Sequence, residues 1–134
     1  MAIRSWLGDD LEGVVLYGSF ARGEQGTASD IDLLAVVRPD KPITRGLYRE
    51  WEGRAAAWNG RAIDLHVVHL PTAGDRVSGS WAEAAVCGIV LYDRSMAVSR
   101  RLTGIRERIA AGRLVRRLAQ GQPYWIDEDA DAQS

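Results

Sequence analysis

Asp64 makes the sharpest demand on the fold of this chain, because it stands inside the apolar, strand-like run Ala62-Ile63-Asp64-Leu65-His66-Val67-Val68. A buried carboxylate in such a run costs several kcal/mol unless it finds a partner. Two further acids bear on that requirement: Asp30 and Asp32 stand at the head of a second apolar run, Ile31 to Val37. In an extended chain residues i and i+2 point to one face, so Asp30 and Asp32 share a face. If the two runs are neighbouring strands, Asp64 joins them. Carboxylates crowded in this way repel one another, and a divalent cation is the natural compensation. A buried Asp–Arg pair is the other way to satisfy Asp64.

A third apolar run, Val14-Val15-Leu16-Tyr17, ends at Gly18-Ser19, and Phe20-Ala21-Arg22-Gly23 then has the form of a helix opening. Backbone N–H groups at a helix N-terminus, beside a glycine that lets the chain come close, form a cradle for anions. Ser19 adds a hydroxyl donor. Arg22, one turn on, can contact phosphate or hold the Asp-bearing loop. A phosphate cradle beside clustered carboxylates suits a nucleoside triphosphate, whose charges must be neutralised before a hydroxyl can attack. Mg²⁺ does this, taking one or two carboxylates together with phosphate oxygens and water.

The order Gly18-Ser19, then Ser29-Asp30-Ile31-Asp32-Leu33-Leu34, then a lone Asp64 in an apolar strand resembles the signature of the polymerase β-type nucleotidyltransferases, and among them the minimal nucleotidyltransferases. The resemblance covers about the first half of the chain. It implies an α/β (α+β) fold with a mixed sheet of about four strands and flanking helices. It also implies that Asp30, Asp32 and Asp64 are catalytic and hold two Mg²⁺ ions, with Asp64 as base. Gly18, Ser19 and Arg22 then bind the nucleotide, with ATP as substrate. Many relatives of this type are cytoplasmic antitoxins that transfer AMP to a hydroxyl on a partner HEPN-domain ribonuclease. Transfer to a small molecule such as an aminoglycoside is a second reading, and a partner-binding module without turnover is a third. RNA as acceptor is suggested only by the arginines described below.

Length and charge agree with a small enzyme domain. The chain has 134 residues, enough to bury a core, and a net charge of −1, so no global field draws in nucleic acid. Its single cysteine, Cys87, excludes an internal disulfide and a cysteine-based zinc cluster. Neither a signal peptide nor a membrane-spanning run is visible, and a cytoplasmic location is expected. Oligomeric state is left open.

Element boundaries follow from pattern and punctuation. A short N-terminal helix is expected over Ile3 to Leu11. A helix capped by Thr44 should present Leu47, Trp51, Ala55 and Trp58 on one face and end at Asn59-Gly60. Ser80-Trp81-Ala82-Glu83 has the form of a capping box opening a helix that closes near Gly88, and Ile89 to Tyr92 reads as a strand. These elements make a core domain over residues 1–93. Residues 94–126 read as a long amphipathic helix with Val98, Leu102, Ile105, Ile109, Val115 and Leu118 on one stripe, closed by the anchor Gln122 to Ile126. Gly104 and Gly112 weaken that helix by roughly 1 kcal/mol each. Eight arginines lie between Arg94 and Arg117. They read as a solvated face, a surface for an acidic partner, or contacts to substrate phosphate. The acidic stretch from Asp127 to Ser134 is expected to be disordered. His66 shares the strand face of Asp64 and is read either as a contact to nucleotide or attacking group, or as a packed residue. Trp6, Trp81 and Trp125 face a partner or fill the core.

Overall fold

The seven-residue run that begins just after Asp30 becomes the central strand of the sheet. A computed structural model describes residues 2–18, 31–54, 57–58, 61–72 and 76–128. Strand β1 (Leu11–Tyr17) runs antiparallel to β2 (Ile31–Val37), and β2 runs parallel to β4 (Arg61–His69). A two-residue strand, β3 (Ala57–Trp58), borders β4, and β5 (Ile89–Asp93) borders β1, so the order is β3-β4-β2-β1-β5. Four strands of useful length therefore carry a mixed sheet, as the α/β reading expects. A parallel pair needs a crossover, and α2 (Arg45–Arg54) lies between β2 and β4 in the chain.

Both faces of this sheet are covered, which is why β2 reads as an almost unbroken apolar run. On one face Val14, Leu33, Ala35, Val37, Leu65 and Val67 pack under α1 (Ala2–Leu7) and α2 through Ile3, Leu7, Leu47 and Trp51. Trp6 lies against Trp51 with ring centroids 5.4 Å apart. On the other face Val15, Tyr17, Leu34 and Val36 pack under α3 (Gly79–Cys87) and α4 (Ala97–Ala110) through Trp81, Ala82, Val98, Leu102 and Ile105. Each aliphatic side chain buried this fully stabilises the fold by about 1.5–3 kcal/mol. Gly13 lets α4 come close: a Cβ there would stand 2.7 Å from Val98 Cγ2.

Local hydrogen bonds explain the starts of three helices. Thr44 Oγ1 accepts from Leu47 N–H at 3.2 Å and caps α2 as expected. The cap of α3 is Ser78, which accepts from Trp81 N–H, rather than Ser80. At α4 the Asp93 carboxylate accepts from the N–H groups of Val98 and Ser99, at 3.4 and 2.8 Å, and satisfies a helix start that lacks a capping hydroxyl. Trp58 belongs to β3 and not to the α2 stripe; Ala55, Asn59 and Gly60 lie outside the described residues. The N-terminal helix is α1 followed by a 3-10 turn over Gly8–Asp10.

The long C-terminal helix is the largest correction. It stops at Ala110, and the chain continues as a hairpin of β6 (Leu114–Ala119) and β7 (Gln122–Asp127). Gly112 sits at φ +76°, with Gly112 N–H bonded to Ile109 O and Arg113 N–H to Arg108 O. That is the Schellman arrangement, which ends a helix on a left-handed residue. Gly112 is thus a stop and not merely a weak position. Gln120 and Gly121, both at positive φ, form the two-residue turn that matches strand twist. Val115 and Leu118 leave the helical stripe, and Leu118 is exposed. Asp127, expected in the disordered tail, is buried as the last residue of β7; residues 129–134 lie outside the described set.

Several of the eight arginines are engaged within the chain. Arg94 bonds to Asp9, Arg106 donates to Ala85 O at 2.7 Å, Arg108 pairs with Asp127, and Arg116 pairs with Glu83 at 3.1 Å. Three of these, from Arg106, Arg108 and Arg116, tie α4 and the hairpin to neighbouring elements, a role that neither a purely solvated face nor a free partner surface describes. Trp81 is core and Trp125 packs against it from β7, so neither is a free partner-facing ring. No helix among the described residues is long and apolar enough to cross a membrane.

Candidate active site

The parallel register of β2 and β4 decides the site. Asp32 and Asp64 are direct register partners, near the N-terminal starts of their strands, and Tyr17 at the end of β1 is the partner of Asp32 on the other side. Three strand ends therefore meet at one edge of the sheet, where side chains on the α3/α4 face reach solvent. Asp32, Asp64 and His66 each offer a ligand atom, and these atoms lie within 4.8 Å of one another. Asp64 is about half exposed, at 52%, and its Oδ2 lies 3.5 Å from His66 Nε2. Among the described residues, the partner of Asp64 is His66 and not an interior arginine.

Gly18 closes this edge. It has φ +81°, and a Cβ built on it would fall on the Asp32 carboxylate. Only a residue without a side chain allows that approach. Gly18→Ala should therefore destabilise the fold by about 1–3 kcal/mol, read as a lowered thermal midpoint. An unchanged midpoint would show that Asp32 can move aside freely. Ser19, Arg22 and Asp30, the other site residues expected from sequence, lie outside the described residues.

Two groups at the site carried no clear sequence signal. Tyr17 lies behind the carboxylates, its ring 6.2 Å from that of His66. Burial pushes its phenol above the usual value, the Asp32 and Asp64 charges add to the rise, and a hydrogen bond with Ser80 opposes it. The phenol thus keeps its proton through the neutral range. Ser80 comes from the first turn of α3, and only tertiary packing brings it here; Tyr17 could have been suspected from its place just before Gly18.

The donor set fits a divalent cation. Two carboxylates supply hard oxygen ligands, their repulsion is relieved by positive charge, and partial exposure leaves room for water and substrate oxygens to complete a shell.

The family model of the nucleotidyltransferase domain matches residues 3–84, more than half of the chain. The chain belongs to the nucleotidyltransferase domain family. Solved structures share its fold. A chain of a toxin–antitoxin MntA–HpeT variant aligns with TM-score 0.58 and 12% identity, over 84% of this chain and 85% of that one. A chain of a toxin–antitoxin with AMP-PNP aligns with TM-score 0.53 and 16% identity, over 83% and 86%. No curated protein sequence matches.

Proposed function

We propose that this protein transfers AMP from ATP to a hydroxyl on a partner toxin of the HEPN ribonuclease type, in a Mg²⁺-dependent reaction, and so acts as an antitoxin. The observation that carries the reading is the pairing of Asp32 with Asp64 across adjacent parallel strands, inside a nucleotidyltransferase domain. Support for the acceptor comes from the two toxin–antitoxin neighbours, one of them solved with AMP-PNP.

In this reading Asp30, Asp32 and Asp64 hold the divalent ions. Bound there, the ions neutralise the triphosphate and polarise the α-phosphorus and the acceptor hydroxyl. Gly18 and Ser19 hold the triphosphate tail through backbone N–H groups and the serine hydroxyl, and Arg22 adds a cation to it. Asp64 accepts the proton of the acceptor hydroxyl as its oxygen bonds to the α-phosphorus. The bond from that phosphorus to the bridging oxygen breaks, and pyrophosphate leaves in line. Tyr17 stays protonated and holds Ser80 at the rear of the site.

The test is incubation with Mg²⁺, a candidate HEPN-type partner encoded beside it, and ATP labelled at either the α or the γ phosphate. Label from the α position alone should appear on the partner. Tight association with no label would overturn transfer in favour of simple covering of the toxin. Label arriving from the γ position would mean phosphoryl transfer instead.

A further inference from the structure

We propose that His66 is a nitrogen ligand of the divalent-ion site and tilts its preference from Mg²⁺ toward first-row transition ions, an inference that rests on the metal-dependent reading above. His66 follows Asp64 by two residues on β4, so both side chains leave the same face of the strand. Its Nε2 lies 3.5 Å from Asp64 Oδ2, and a donor atom of Asp32 completes a group spanning no more than 4.8 Å. Ligands around a small octahedral ion stand about 3 Å apart when adjacent and about 4 Å apart when opposite. Small side-chain rotations bring all three donors onto such a shell. The Tyr17 ring stands beside the imidazole at an angle of 60°, with centroids 6.2 Å apart, and the His66 side chain is 45% exposed.

The chemistry of the third donor sets the consequence. A carboxylate–carboxylate site is hard and suits Mg²⁺, whereas an imidazole nitrogen adds a softer donor that Mg²⁺ hardly uses and Co²⁺ binds well. The same geometry would also arise from a plain ion pair between Asp64 and His66, which would leave metal preference untouched.

Co²⁺ and Mg²⁺ affinities of the purified protein, measured by calorimetry for wild type, His66→Ala and Asp32→Asn, separate these cases. His66→Ala should lower Co²⁺ affinity about tenfold and change Mg²⁺ affinity by less than about twofold. With Mn²⁺ as a spin probe, pulsed paramagnetic resonance should show nitrogen coupling in wild type and none in His66→Ala. An unchanged ratio of Co²⁺ to Mg²⁺ affinity, or no nitrogen coupling in wild type, overturns the assignment of His66 alone, provided Asp32→Asn weakens both ions. Equal metal binding by wild type and Asp32→Asn overturns the metal site itself, and with it both readings.

Discussion

Asp32→Asn should reduce AMP transfer by at least about 10³-fold, equivalent to about 4 kcal/mol of transition-state stabilisation, while the circular dichroism spectrum stays that of the wild type. Asparagine keeps the volume and one oxygen acceptor, so packing against Tyr17 and Gly18 survives. What disappears is the negative charge that holds ions against the triphosphate. Asp32 and Asp64 face each other in register, so the substitution also removes a like-charge contact. Without metal, the variant should therefore melt at the wild-type temperature or above it. Adding divalent ions should raise the midpoint of the wild type and not that of the variant. Transfer at the wild-type rate by purified Asp32→Asn would remove this residue from the reaction.

The second large effect is structural. Asp127→Ala should destabilise the fold by about 3–5 kcal/mol, because it removes a buried carboxylate on which a guanidinium and a backbone N–H converge. The Asp127 side chain is 3% exposed and that of its partner Arg108 is 23% exposed. Asp127 also accepts from Val77 N–H at 3.3 Å, so one carboxylate joins β7, α4 and the segment leading into α3. Losing it leaves the guanidinium without that counter-charge and Val77 N–H without that acceptor. Urea unfolding followed by tryptophan fluorescence should report the loss, with a drop in thermal midpoint on the order of 10–20 °C. A cost below about 1 kcal/mol would show that the hairpin is an ornament on the domain and that the pair contributes little.

The effect of Asp32→Asn follows from the chain alone, whereas that of Asp127→Ala does not, and the reason is the range of the interactions involved. Strand periodicity is local, so Ile31 to Val37 and the run around Asp64 were legible as strands, with their acids on definite faces. Thr44 was legible as a cap for the same reason. The helix from Ala97 was legible through Val98, Leu102 and Ile105, but its end was not. Apolar residues at Val115 and Leu118 happened to continue the helical period, while the stop depended on Gly112 adopting a left-handed backbone. Asp127 sits in an acidic stretch whose composition resembles a solvated tail; its burial follows from β7 pairing with β6 and docking beside Arg108.

The aspartates themselves, and the glycine beside them, could be picked out from residue order along one chain. Their convergence could not, because it depends on β2 and β4 lying side by side, parallel, in the one register that sets Asp32 against Asp64. A shift of one residue would have turned one of the two carboxylates to the opposite face. The same holds for Tyr17 and Ser80, whose relation to the carboxylates is a matter of neighbouring strands and a helix end, whereas His66 is placed beside Asp64 by its i+2 spacing on one strand. Side-chain alternation is written in sequence; which strands become neighbours is settled by burying both faces of the sheet at once.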